Sequence, residues 1–151
     1  TSINFGQDAL NYYDEGTFNP TLTCATVGDF AANYSQRSGR YTRVGNIVTL
    51  RIAITAAPTF TTASGAIRVS SLPFAVGSTG DDEYSLTLNL LTGFTWPSGT
   101  SACGAMGGTA TLATLRTIGS AVGGADLAIS AITGGTGSTV VIYMNGSYHV
   151  G

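Results

Sequence analysis

From Thr17 onward the chain is built of short β-rich runs, each stopped by Gly, Asn, Ser or Pro. That punctuation is the pattern of an all-β sandwich or barrel, and no segment sustains the 3.6-residue period of an amphipathic helix. The clearest case is the pair of runs at 40–44 and 47–56, joined by Gly45-Asn46. Such a dipeptide suits the positive φ that a tight two-residue turn demands, so an antiparallel hairpin is expected there. In its second strand Val48, Leu50, Ile52 and Ile54 share one face, while Ile47, Thr49, Arg51, Ala53 and Thr55 share the other. The aliphatic face is core. Ile67 and Val69 repeat the alternation before Leu72-Pro73-Phe74, where proline ends the strand and Phe74 returns to the core. Leu86, Leu88 and Leu90 alternate again, as do Val140, Ile142 and Met144.

With 151 residues, 43% of them hydrophobic, the chain suits one domain of ordinary core size. Residues 17–151 are read as that domain and 1–16 as a lead-in segment, in which Asp8-Ala9-Leu10 starts a helical turn before Gly16 stops it. Charged residues make up only 9% of the chain, the basic ones are all arginine, and the net charge is -2. Nucleic-acid binding by counterion release needs several phosphate contacts, so this composition argues against it. Mean hydropathy is positive, yet no apolar run approaches the roughly 18 to 20 residues of a membrane span. The first residues lack the charged and apolar regions of a signal peptide and do not begin with Met, so the chain is read as a piece of something longer. Cys24 and Cys103 have no metal or redox spacing, and buried thiols are favoured over a disulfide.

Between residues 99 and 137 the sequence narrows to Gly, Ala, Thr and Ser with scattered aliphatic residues such as Leu112, Leu115, Ile118 and Ile132. It is too apolar for a linker, so short strands with tight glycine turns are expected. Glycine-rich pieces such as Gly134-Gly135-Thr136-Gly137 are not followed by a helix carrying Lys and Ser or Thr, and no phosphate cradle is indicated.

The chemistry-bearing residues are few. A glycosidase needs two carboxylates about 5 to 10 Å apart across a sugar. Asp81-Asp82-Glu83 leads into a strand, where consecutive side chains point to opposite faces, so the three converge poorly. A solvated loop cap, glycan hydrogen bonding and a calcium site remain as their readings. Ser147 and His149 share a strand face, but no acid at matching spacing and no nucleophile-elbow pattern accompanies them. No catalytic residue, metal or cofactor is expected. Sugars stack on exposed aromatic rings while polar side chains hydrogen-bond their hydroxyls. Trp96, among the turn formers of 92–99, fits best, with Tyr84 beside the acidic triplet and Tyr148 beside His149. The candidate carbohydrate-binding set is therefore Trp96, Tyr84, Asp81, Asp82 and Glu83. The competing reading for each aromatic is packing in the core or between subunits.

Three blocks point further: Asn11-Tyr12-Tyr13-Asp14-Glu15-Gly16-Thr17-Phe18-Asn19-Pro20-Thr21-Leu22, then Gly39-Arg40-Tyr41-Thr42-Arg43-Val44-Gly45-Asn46-Ile47-Val48-Thr49, then Leu72-Pro73-Phe74. Together they resemble the C-terminal domain of bacteriophage tail fibre and tailspike proteins. Phe18 stands where that family commonly has Trp, and Arg43 where Lys is common. The likeness covers the first half, to about residue 75, and Asn145-Gly146-Ser147-Tyr148 looks like the family's closing strand. It implies a jelly-roll-like antiparallel β-sandwich of about eight strands, assembled as a homotrimer behind an upstream region of the same tail protein. It further implies a virion location at the exposed distal end of the tail and recognition of host surface polysaccharide. The alternative is a structural clamp that trimerises the fibre or spike without touching a receptor. Catalysis on a surface polysaccharide is expected in an upstream β-helix rather than in this segment.

Overall fold

The computed structural model describes residues 4–5, 8–9, 12–77, 83–108, 110–120 and 123–151. Two short strands, β1 (Asn4–Phe5) and β2 (Asp8–Ala9), come first. They are followed by β3 (Tyr13–Phe18), β4 (Thr21–Thr26), β5 (Ala31–Val44), β6 (Ile47–Thr59) and β7 (Ser64–Ser70). Then come β8 (Glu83–Thr92), β9 (Thr100–Gly107), β10 (Ala113–Gly119) and β11 (Ala125–Asp126), a 3₁₀ turn at Ile129–Ala131, and β12 (Val140–His149). The all-β antiparallel expectation is met. The helical turn expected at Asp8-Ala9 is not: β2 pairs antiparallel with β1, setting Asn4 opposite Ala9 and Phe5 opposite Asp8. Two-residue strands satisfy each other's backbone groups where the segment lacks a helical apolar stripe. Leu10 lies outside the described residues. β3 begins at Tyr13, so the main sheet takes in part of the segment read as a lead-in.

That sheet runs in the order β3-β5-β6-β12-β8-β9-β10-β7-β4, with β11 pairing β10. Laid flat at about 4.8 Å per strand, it would hold its two edges nearly 40 Å apart. Yet β3 and β4 are those edges, and only Asn19-Pro20 joins them, a step of at most about 11 Å. The sheet must therefore curl until its edges meet. Its inner face then packs against itself, so one curled sheet supplies both layers of a sandwich-like core. Leu50, Ile54, Val69, Leu86, Leu115, Val140, Ile142 and Tyr148 are all fully enclosed there.

Side chains of β5 close the seam where β3 stops pairing with it. Arg37 Nε donates to the Pro20 carbonyl at 2.8 Å and a terminal nitrogen reaches the Asn19 carbonyl at 3.3 Å. The Leu22 N–H donates to the Tyr34 hydroxyl oxygen at 2.8 Å, and the Arg37 guanidinium lies 4.8 Å from the centre of the Tyr34 ring. Just before the seam, β3 and β5 interlock through two reciprocal pairs, Gly16 opposite Tyr41 and Phe18 opposite Gly39. A Cβ on Gly39 would sit 2.5 Å from the Phe18 ring, and one on Gly16 would sit 2.9 Å from the Tyr41 hydroxyl. Each aromatic ring covers the other strand's glycine.

The Gly45-Asn46 hairpin forms as expected, with Gly45 at φ +60° and both strands longer than the sequence pattern suggested. Val48, Leu50, Ile52 and Ile54 are buried, and the alternation continues to Ala56. Phe74 returns to the core and meets Tyr41 edge-on at 5.2 Å. Tyr148 is inside, donating to the Phe74 carbonyl at 2.9 Å, and burial pushes its phenol up to about 12. Leu90, read as core from its period-two spacing, is instead 43% exposed. A bulge between Leu88 and Leu90 inserts Asn89 opposite Tyr143 and Met144 of β12, which reverses the phase and turns Leu91 inward. Cys24 and Cys103 are free thiols. β10 and β7 lie between their strands in the sheet order, a separation of about 14 Å that no disulfide spans.

Two expectations test this architecture. Gly39→Ala drives a methyl into the Phe18 ring at a buried position, and overpacking of this kind costs about 1–3 kcal/mol; chemical denaturation should show that loss, and an unchanged midpoint would mean the interlock is loose. The Asp29 carboxylate accepts N–H bonds from Thr61, Thr62 and Ala63, clamping the loop after β6. Those bonds, Thr61 first, hold its carboxyl well below the usual carboxylate range. A depressed folded pKa contributes stability that is fully present above the unfolded value of about 3.9 and is lost as pH falls toward the folded value. Asp29→Asn should lower the melting temperature at neutral pH and flatten the acid limb below about pH 4. Parallel pH profiles for the two proteins would reject this role.

Candidate functional site

The outward face of β5, β6 and β12 is organised in cross-strand rows fixed by register. Tyr13, Val44, Ile47 and His149 form one row, and Glu15, Thr42, Thr49 and Ser147 the next. Then come Thr17, Arg40, Arg51 and Asn145, followed by Ser38, Ala53 and Tyr143. Successive rows are about 7 Å apart along the strands. The inner face of β6 is aliphatic from Val48 to Ala56; the outer face of the three strands changes character from row to row.

A groove of about 490 Å³ opens over the last two rows. Ser38 and Ala53, the small members of the last row, line it. Arg40, Arg51 and Asn145, from the neighbouring row, line it as well, as do Tyr143 and Gln36. Both ends fall at bulges: the β5–β6 register shifts between Tyr34 and Gln36, and the β12–β8 register shifts where Asn89 is inserted. A bulge bends a strand and re-aims a side chain, and both Gln36 and Asn89 line the groove. The Tyr143 hydroxyl donates to Gln36 Oε1 at 2.6 Å, so the ring is anchored while the Gln36 amide nitrogen keeps its donors. The described lining offers guanidinium, amide, phenol and hydroxyl groups and no carboxylate.

The residues singled out from the sequence fall elsewhere. Trp96 is half-buried against the core, in a loop pinned to the 3₁₀ region. The Thr95 N–H donates to the Ala131 carbonyl at 2.7 Å, and the Thr95 and Thr133 hydroxyls share a hydrogen bond of 2.8 Å. Tyr84 packs on the core and stacks on His149 at 5.9 Å. It lies near the start of β8 and Trp96 beyond its far end, about 30 Å apart along that strand. The structure does not bring them together. Asp81 and Asp82 lie outside the described residues, and Glu83 opens β8 opposite Gly107. Ser147 bonds Thr49 at 2.8 Å rather than His149. Among the described residues, no three of His, Cys, Asp and Glu gather as metal ligands.

Sequence reasoning missed the groove. Arg51 and Ala53 are legible as outward residues from the alternation in β6. Tyr143 and Asn145 join them only through the pairing of β6 with β12, which matches positions roughly 100 residues apart.

Neither a protein-family model nor a curated protein matches this sequence. Among solved structures, the chain is similar to the Dettilon tailspike protein, with a TM-score of 0.68 and 14% identity. The match covers 91% of this chain but only 24% of that one, so the chain spans about a quarter of the tailspike's length. At that identity the likeness is one of fold: this curled antiparallel sheet is a fold also found within a phage tailspike.

Proposed function

We propose that this chain is the C-terminal domain of a phage tail fibre or tailspike and recognises host surface polysaccharide as a homotrimer at the exposed distal end of the tail. The observation that carries this reading is the groove beside Tyr143, on a fold shared with a tailspike. An anchored phenol beside Gln36, Asn89, Asn145 and two arginines is the chemistry that sugar rings and hydroxyls engage. Weak single-site affinity suffices for this role, because three sites on one rigid trimer act together through effective concentration. The reading assigns binding without cleavage to this domain: among the described residues, the groove lining lacks the two carboxylates a glycosidase needs. An upstream region of the same tail protein would carry any catalysis.

A second reading, the trimerisation clamp, is favoured by the first outward row. Tyr13, Val44 and Ile47 are adjacent across three strands and are 58%, 40% and 43% exposed, an apolar strip suited to burial between subunits.

Mass measurement and binding to host cells or an array of bacterial surface polysaccharides, on one purified sample, separate the two. The expected result is a trimer that binds glycan, with Tyr143→Ala weakening affinity at least about tenfold, or 1.4 kcal/mol, and leaving the trimer intact. A stable trimer with no binding would instead support the clamp.

A further inference from the structure

We infer that the groove selects an acidic glycan, with an anionic group of the sugar, a uronate carboxylate or a phosphate, held between Arg40 and Arg51. This rests on the polysaccharide-recognition reading and narrows its substrate class.

The chain has six basic residues, all arginine. Arg37 is bonded to the carbonyls of the seam, and Arg43 donates to the Gly45 carbonyl at 2.8 Å while lying between the Tyr12 and Phe74 rings. Arg116 approaches Asp126 at 3.0 Å, an ion-pair contact. Arg68 is half-buried on β7. Arg40 and Arg51 are different. They are direct cross-strand partners on the outward face of the β5–β6 hairpin, both exposed, and both line the groove. Among the described residues the one salt bridge is Arg116 to Asp126, and no carboxylate lies within ion-pair distance of either. The nearest acid on that face by register is Glu15, a diagonal neighbour of Arg40, and its carboxylate already accepts the Tyr13 hydroxyl at 2.7 Å.

Like charges directly opposite each other in a sheet are destabilising. A chain with only 9% charged residues and abundant Thr and Ser has no folding reason to set two of its six cations face to face. An anion between them reverses the sign of that contact. Guanidinium forks bind carboxylate and phosphate oxygens in bidentate fashion, more strongly than neutral hydrogen bonds do. Asn145, directly opposite Arg51 on β12, and Tyr143, one row on, are placed to take the hydroxyls and ring of the same sugar.

The test uses the intact trimer and an array of bacterial surface polysaccharides. Each glycan is presented in native form, carboxyl-reduced, and freed of phosphate. Binding to acidic glycans, weakened at least tenfold when the acid is removed and progressively by added salt, is the expected result; the treatment that abolishes it tells carboxylate from phosphate. Arg51→Gln and Arg40→Gln should each cause a comparable loss while leaving the melting temperature unchanged or higher, since each relieves the repulsion. Equal binding to native and neutralised glycans, or to wild type and Arg51→Gln, overturns the anionic site and leaves polysaccharide recognition standing. Failure to bind any glycan overturns both.

Discussion

The two residues Asn19-Pro20 carry the chain from one edge of the sheet to the other, and every later feature of the fold depends on that closure. At this point the backbone ladder cannot help. Pro20 has no N–H to donate and is fully buried, so the carbonyls of the corner need donors from elsewhere. Arg37 provides them with one guanidinium, while the Tyr34 hydroxyl receives the Leu22 N–H as β4 begins. Both side chains come from the strand that β3 has just left. The seam is thus held by β5 on one side and, just before it, by the paired glycines and rings of Gly16, Tyr41, Phe18 and Gly39. Two of the sequence blocks that carry the resemblance to tail proteins hold the interlocking residues, Gly16 and Phe18 in one and Gly39 and Tyr41 in the other, while Tyr34 and Arg37 lie outside them.

Closure also divides labour between the two faces. Once the sheet has curled, the inner face of β6 and β12 is committed to packing, and substitutions there disturb a core with no slack. The outer face of the same strands is held in register by that core yet contributes little to it. Its rows can therefore differ sharply in chemistry while their spacing stays fixed, and a groove built on paired strands is better ordered than one built on loops. The two bulges fit this picture, since they interrupt the alternation at the groove's ends and leave the inner packing continuous.

How much was legible in the sequence follows from which contacts are local. The Gly45-Asn46 hairpin and the alternation in β6 are short-range features, and they read correctly as far as Ala56. Leu90 misled because a bulge is a property of the pairing between β8 and β12, not of Leu86-Thr87-Leu88-Asn89-Leu90 itself. Trp96 and Tyr84 drew notice as aromatic residues beside turns and charges, a criterion blind to packing; both rest against the core. The groove was out of reach for a different reason. Arg40 and Arg51 face each other across the Gly45-Asn46 hairpin, but Asn145 and Tyr143 join them only when β12, about 90 residues further on, adopts its register against β6, and composition carries no trace of that register.

The receptor-binding and clamp readings also need not compete for the same surface. The apolar row at Val44 and Ile47 and the row bearing Arg40 and Arg51 are four residues apart along β5 and β6, about 13 Å. Between them runs the row of Thr42, Thr49 and Ser147, whose hydroxyls are already occupied in part by the bond between Thr49 and Ser147. Burying the apolar row against a neighbouring subunit would leave the groove at the margin of that contact rather than beneath it. Association as the proposed trimer would then bring three grooves to fixed positions around one axis, and an anion arriving from outside would relieve the repulsion within each arginine pair.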